Sequence, residues 1–257
     1  MNKEIQEAAG LLWEAHNQKS TIPPVRELIG TEDLNAAYAV QEININRRKA
    51  NGEVVTGKKI GLTSFAVQEQ LGVNQPDYGI LFNTMEVKNH QLAFSELVQP
   101  KAEAEIAFVM AEDLDGDINI SDLIDAVEYA TVSIEIVGSR VADWNIKITD
   151  TIADNASASH YILGTSKVSL DDIDLVNCQM SLTKNGTIAS QGSGKACMDN
   201  PLNAALWLAQ KMVEQGNPLK KGDILLSGAL GPMVVIEKGD EFVASVEGLG
   251  EVRLEII

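Results

Sequence analysis

The sequence predicts an α+β fold, a curled mixed β-sheet preceded by a helical section. Three observations lead there. Residues 2–52 carry helical periodicity and no strand pattern. From Val54 onward the texture changes to short β-branched or alternating runs divided by Gly, Asn and Asp. Strands and helices then follow one another without regular alternation, which argues against a doubly wound parallel sheet or a β/α barrel.

The first helix runs from Asn2 to about Lys19 and places Ile5, Ala8, Ala9, Leu12 and Ala15 on one face. Ile22-Pro23-Pro24 breaks it, since proline removes an amide and pushes its predecessor out of the helical region. A second helix starts after Thr31 as N-cap, carries Leu34, Ala37, Tyr38, Gln41 and Ile45 on one side, and stops near Gly52. These helices form an N-terminal section, residues 1–53, packed on a β-core of residues 54–257 as one structural unit.

Residues 54–63 read as a strand entering a glycine-bearing loop, and residues 66–71 as a short helix closed by Gly72. Residues 102–110 and 131–137 are strands; between them Ser121 caps a helix reaching about Ala130. Residues 179–184 and 187–190 flank Asn185-Gly186, a two-residue hairpin signal because both positions tolerate positive φ. Asn200-Pro201 joins an N-cap to a first-turn proline and opens a helix ending near Gly216. Strands at 224–226, 233–236, 241–247 and 251–256 complete the chain, with turns at Gly239-Asp240 and Gly248-Leu249-Gly250.

Lys and Arg number 20 against 37 Asp and Glu, a formal charge of −17. Such a surface repels nucleic acid and anionic membranes, so neither is an expected partner. A small organic anion stays admissible where a local cation or metal reverses the field. No apolar run approaches the roughly 18 residues of a membrane span, and the first residues lack a basic segment followed by an apolar one. The expected setting is the cytoplasm. Cys178 and Cys197 form no CxxC pair and have no His at zinc-finger spacing, so they read as buried thiols. His16, His90 and His160 are scattered and give no support to a Ser/His/Asp relay.

The chemistry lies in two strands. In Lys101-Ala102-Glu103-Ala104-Glu105-Ile106-Ala107-Phe108-Val109-Met110, the residues Ala102, Ala104, Ile106, Phe108 and Met110 share one face. Glu103 and Glu105 share the other, their Cα atoms about 7 Å apart by strand rise. Glu135 sits among β-branched neighbours that belong in a core. Two readings fit: a solvated face with salt bridges to Lys or Arg, or a hard-cation site in which Mg²⁺ takes carboxylate oxygens and keeps waters that a substrate displaces. The acidic run Asp113-Leu114-Asp115-Gly116-Asp117 has its Gly at the fourth place and Ile124 at the twelfth, which does not match a calcium loop; it reads as an acidic turn.

Gly57-Lys58-Lys59-Ile60-Gly61-Leu62-Thr63-Ser64, Leu71-Gly72-Val73-Asn74-Gln75-Pro76-Asp77-Tyr78-Gly79, Glu103-Ala104-Glu105-Ile106-Ala107, Glu135-Ile136-Val137-Gly138-Ser139-Arg140 and Ala153-Asp154-Asn155-Ala156-Ser157 follow in that order. Together they resemble the hydratase/decarboxylase family of the fumarylacetoacetate hydrolase superfamily, along nearly the whole chain. The resemblance implies a fumarylacetoacetase C-terminal-like β-roll, a homo-oligomer, and Mg²⁺ or Mn²⁺ on Glu103, Glu105 and Glu135. It also places Lys59, Asp77 and Ser157 at a pocket for a small 2-oxo or 2-hydroxydienoic acid.

Lys59 then either moves protons, once its pKa falls beside the metal, or holds the substrate carboxylate; its bland alternative is a surface strand lysine. Asp77 either orients water and moves protons or is a turn aspartate. Ser157, with the amides near Leu62 and Thr63, hydrogen-bonds the substrate carboxylate, or Ser157 merely caps a helix. Arg140 pairs with an acid near the site, and His160 receives no role. The stretches 71–82 and 225–235 contain no Lys or Arg to meet a second carboxylate. Of the reactions that the resemblance implies, this favours hydration of 2-hydroxypenta-2,4-dienoate to 4-hydroxy-2-oxopentanoate, which the resemblance places in meta-cleavage catabolism of aromatic compounds. The alternatives are a 4-oxalocrotonate-type decarboxylase, an acylpyruvate C–C hydrolase, for which no His-x-x-Glu or Glu-x-x-His dyad is present, and a non-catalytic protein that keeps fold and metal.

Overall fold

The computed structural model describes residues 2–64, 68, 73 and 75–257. Helix α1 (Lys3–Gln18) opens at Asn2, whose side chain accepts the Glu4 amide, and buries Ala8, Ala9, Leu12 and Ala15. The Pro23-Pro24 break leads into a single turn, α2 (Arg26–Ile29), too short to announce itself by periodicity. Helix α3 (Leu34–Ala50) is capped by Asp33 rather than Thr31, its carboxylate accepting the Ala36 amide. Small residues let these helices approach closely: Ala8, Ala9, Ala36, Ala37 and Val40 form one apolar cluster with Ile148, Ile152 and Ala153. The N-terminal helices thereby pack on the β-core.

The core holds two sheets. The larger is mixed, in the order β2 (Asp77–Phe82), β1 (Val55–Gly61), β9 (Ile224–Leu226), β4 (Lys101–Met110), β5 (Val127–Val137), β6 (Ala158–Leu163), with β10 (Val234–Val235) added to β4. β1 and β9 are parallel; the other pairs of this sheet are antiparallel. The smaller sheet runs β3 (Gln91–Leu92), β12 (Gly250–Ile256), β11 (Glu241–Val246), β7 (Gln179–Lys184), β8 (Thr187–Ser193), with Asn185-Gly186 at the expected hairpin. β11 alternates buried and half-buried residues, as a sheet with one wet face should. Phe242, Ala244, Val246, Val252 and Leu254 join Ala102, Ala104, Ile106 and Phe108 in the main core. The curled mixed sheet with its N-terminal helical section is the architecture that the sequence predicts.

Several elements differ from the sequence reading. The helix after the acidic turn, α4 (Ile120–Ala126), is capped by Asn119 in a reciprocal box with Asp122, not by Ser121, and β5 begins at Val127. β2, β6 and a short helix α5 (Ile148–Ala153) carry no clear period; β2 is buried on both faces, which erases alternation. The helix expected at 66–71 lies, Gln68 aside, outside the described residues. Helix α6 (Pro201–Glu214) follows its Asn200 cap as expected. No helix among the described residues is long and apolar enough to cross a membrane.

Candidate metal and substrate site

Strand register assembles the site. Glu103 stands directly opposite Glu135 across the β4–β5 ladder, and Glu105 opposite Ser133. Continuing across the sheet, Thr131, Ala107, Leu226 and Lys59 are successive partners, and Gly61 is the partner of Asp77. Cross-strand partners and residues two apart share a face. Lys59, Asp77, Glu103, Glu105 and Glu135 therefore project from one side of the sheet. The regular β9–β4 register ends at Leu226, just short of the position beside Glu105.

Oxygens of Glu103, Glu105 and Glu135 lie within 4.8 Å of one another. Glu105 and Glu135 are fully buried, as are Lys59 and Asp77. Lys59 Nζ donates to the Ala156 carbonyl at 3.0 Å and lies 3.3 Å from Glu135 Oε1, an ion pair outside hydrogen-bond alignment. Glu105 Oε2 accepts the Gly228 amide at 2.9 Å. Among the described residues, Glu105 Oε1, both oxygens of Glu135, both of Asp77 and Ser157 Oγ are buried with no hydrogen-bond partner. Buried polar atoms are nearly always satisfied. So many orphans at one spot fit a cation held by the glutamates and a polar substrate held beside it. The solvated-face reading does not survive the burial of Glu105 and Glu135; Glu103 is half-buried at the rim of the cluster.

The electrostatics agree. Burial raises the pKa of Glu103 and Glu135, the latter to about 7. Burial and the neighbouring Glu135 and Glu103 push Glu105 well above the usual carboxylate range. Burial likewise lifts Asp77 to about 6 against the pull of Lys59. Burial opposes the Lys59 charge, but Glu135, Asp77, Glu103 and Glu105 together outweigh it and hold the ammonium above its ordinary value. The sequence reading expected a lowered lysine; the carboxylates reverse that, and a dication among them would cancel part of their pull.

The Lys59 acceptor comes from a turn, Asn155–Ser157, in which Asn155, Ala156 and Ser157 all have positive φ. Asn155 clamps this turn to β2: its Oδ1 accepts the Ile80 amide at 2.8 Å and its Nδ2 donates to the Ile80 carbonyl at 2.9 Å. Gly79 is required beneath it, because a Cβ there would lie 2.4 Å from the Asn155 carbonyl oxygen. Ser157 thus belongs to the turn, not to a helix N-terminus, and Asp77 opens β2 instead of sitting in a turn. Sequence reasoning missed the contributions of Asn155, the Ala156 carbonyl and the Gly228 amide. Two of these are backbone groups, which leave no residue-type signal.

A cavity of about 450 Å³ reaches Glu103 and is lined by Ile60, Gly61, Leu62, Thr63, Ala196, Ala229 and Met233, among others. That is the scale of a small-molecule site, and none of its described lining residues is Lys or Arg. Leu62 and Thr63 therefore meet Glu103 at the cavity, whereas Arg140 does not. Arg140 is buried on Asp154, donating from its amide and from Nε to the carboxylate and from Nη2 to the Asp154 carbonyl. His160 contacts Ser159 and is neutralised by burial, its pKa lowered to about 4. In the acidic turn, Asp113 is taken by Lys220 and the Lys221 amide.

Residues 49–257 match the family model of the fumarylacetoacetate (FAA) hydrolase C-terminal region. The chain is 51% identical over 254 residues to a 2-keto-4-pentenoate hydratase of Paraburkholderia phymatum, covering 98% of this chain and 97% of that one. It is 52% identical over 250 residues to the TodF product hydratase of Pseudomonas putida, covering 96% and 93%. Among solved structures, 4-oxalocrotonate decarboxylase from Pseudomonas putida G7, complexed with magnesium and adipate, superposes with a TM-score of 0.95 at 30% identity, over 100% of this chain and 98% of that one. The chain belongs to the fumarylacetoacetate hydrolase family, on its hydratase branch, and is a hydro-lyase.

Proposed function

We propose that the chain is a divalent-metal-dependent hydratase that adds water to 2-hydroxypenta-2,4-dienoate, giving 4-hydroxy-2-oxopentanoate in the meta-cleavage catabolism of aromatic compounds. One observation carries the reading: Glu103, Glu105 and Glu135 converge within 4.8 Å, the latter two buried with unpartnered oxygens near the buried Lys59, and Glu103 lines a cavity with no Lys or Arg among its described lining residues. Glu103, Glu105 and Glu135 are the ligands for Mg²⁺ or Mn²⁺. When bound, the metal supplies Lewis-acid stabilisation of negative charge on the 2-oxygen of the substrate.

The remaining work falls to side chains. The Leu62 and Thr63 loop and Ser157 hold the substrate carboxylate. The dienol loses its hydroxyl proton and gains one at C5, giving the conjugated 2-oxo-3-enoate; water then adds hydroxyl at C4 and a proton at C3. Asp77, with a pKa near 6, exchanges protons at neutral pH and orients the water. Lys59, held by Ala156 and Glu135, keeps its charge beside the substrate oxygens and shares the proton transfers. The reading includes a cytoplasmic homo-oligomer; exposed Ile188, Met233 and Val235 are apolar side chains that a second copy can cover, and sedimentation of the purified chain tests it.

Identity of 51% to a named hydratase against 30% to the decarboxylase supports hydration. So does the lack of Lys and Arg among the described residues of the cavity wall, since burying a second carboxylate without a partner costs several kcal/mol, on the order of a lost charged hydrogen bond or more. The test compares kcat/KM, with Mg²⁺, for the five-carbon monoacid dienol and its six-carbon diacid counterpart. Preference for the monoacid is expected; preference for the diacid with CO₂ release would assign the decarboxylase reaction.

A further inference from the structure

We propose that the Ser227–Gly228 peptide, braced by Cys197 and Thr63, is a positioning element that turns Glu105 so that only Oε1 faces the cation. This rests on the reading of the glutamates as cation ligands and concerns residues outside that set. After β9 the chain stays tied to β4 on both sides of Glu105: the Ser227 amide donates to the Ile106 carbonyl at 3.0 Å, and the Leu230 amide to the Ala104 carbonyl at 3.0 Å. Between these anchors the Gly228 amide donates to Glu105 Oε2 at 2.9 Å. Glu105 Oε1 is left buried and without a partner among the described residues. One oxygen is occupied by the protein, and the other is free.

The same peptide unit is held from its other end. Cys197 Sγ donates to the Ser227 carbonyl at 3.0 Å, and Cys197, Ser227 and Glu105 are all fully buried. A peptide whose carbonyl accepts and whose amide donates is polarised in both bonds, which strengthens each. Thr63 closes the brace: its carbonyl accepts the amide of Met198, the residue after Cys197, at 3.1 Å. Gly228 has φ +104°, and a Cβ there would lie 2.3 Å from Thr63 Oγ1. No other residue fits this position without moving the amide away from Glu105. Because Thr63 also lines the cavity, the cavity wall and the Glu105 carboxylate are two ends of one rigid unit.

The test titrates Mn²⁺ alone into the purified full-length chain, follows the free ion by its electron paramagnetic resonance signal, and records metal-free melting curves as the folding control. Wild type is expected to bind the ion. Gly228→Ala is expected to weaken binding by at least about tenfold and Cys197→Ala by about fivefold, the scale of one or two lost hydrogen bonds. Cys197→Ser keeps a donor of similar size and is expected to stay within about twofold of wild type. Wild type that takes up no Mn²⁺ overturns the cation reading itself, and this proposal with it. Wild-type affinity in both Gly228→Ala and Cys197→Ala overturns only the positioning role. Where Gly228→Ala does not fold, the Cys197 pair decides: equal affinity in Cys197→Ala and wild type overturns the proposal, and a loss restored by Cys197→Ser supports it.

Discussion

Lys58 and Lys59 are adjacent in β1, and their alternation sends them to opposite faces. Lys58 pairs with Asp223 while Lys59 meets Glu135 and the Ala156 carbonyl; both are buried. Only the second stands at the cluster of orphaned carboxylate oxygens, so only the second should control turnover. Lys59→Met is expected to lower kcat by about 10²-fold, the scale of a lost acid–base group, with the melting temperature held by its apolar replacement; unchanged kinetics would return the residue to a structural role. Glu105→Gln keeps the shape and removes a charge. Activity should fall at least about tenfold and recover partly as Mg²⁺ is raised, as loss of ligand charge weakens a carboxylate site; a normal metal titration would remove Glu105 from the ligand set. These carboxylates were legible in the sequence because alternation put Glu103 and Glu105 on one face and Glu135 among β-branched neighbours. Lys59, Asp77 and Ser157 were legible only through family resemblance: one lysine in a strand and one aspartate after a proline have many bland uses.

Among the elements, those with a long period or a turn of fixed chemistry were readable: α1 from its four buried apolar positions, the β7–β8 hairpin from Asn185-Gly186, α6 from Asn200-Pro201. β2, α2 and α5 were not, because strands buried on both faces and helices of one or two turns carry no periodic signal. The left-handed turn Asn155–Ser157 was invisible for a different reason. Ala and Ser rarely adopt positive φ, so the conformation is imposed by the surroundings, chiefly by the Asn155 clamp on Ile80. That dependence can be tested. Asn155→Ala removes both bonds to β2, costing about 1–3 kcal/mol, and should lower the melting temperature by about 2–10 °C at the usual slope for a chain near this size. It should also depress kcat more than a neutral surface change would, since the Ala156 carbonyl no longer holds Lys59. A fall in stability with unaltered kcat would show that the turn is scaffold alone.

At the scale of the molecule, a chain of net charge −17 buries Glu105, Glu135 and Asp77, with Glu103 half-buried beside them, around Lys59. Each of the four has its pKa raised in the folded state, with Asp77 near 6 and Glu135 near 7. The sign of the linkage follows: between the unfolded carboxylate values, about 4, and these raised ones, the folded state binds more protons than the unfolded. The metal-free protein is therefore expected to be most stable near the lower end of that window and to lose stability as pH rises through 6 and 7. A divalent cation changes this, because it stabilises the ionised glutamates directly. At a concentration about 100-fold above its dissociation constant it contributes about 2.7 kcal/mol, or roughly 5–10 °C of melting temperature for a chain of this size. That increment should grow from pH 5 to pH 8, since at low pH the cation competes with the protons on the glutamates. Melting curves across this range, with and without Mg²⁺, measure both effects. Glu105→Gln should flatten the metal-free slope and shrink the Mg²⁺ increment together, because one carboxylate is responsible for part of each. A metal-free protein whose stability rises from pH 5 to pH 8, or a Mg²⁺ increment identical in Glu105→Gln and wild type, would mean that the buried acids are neutralised by something other than a shared cation.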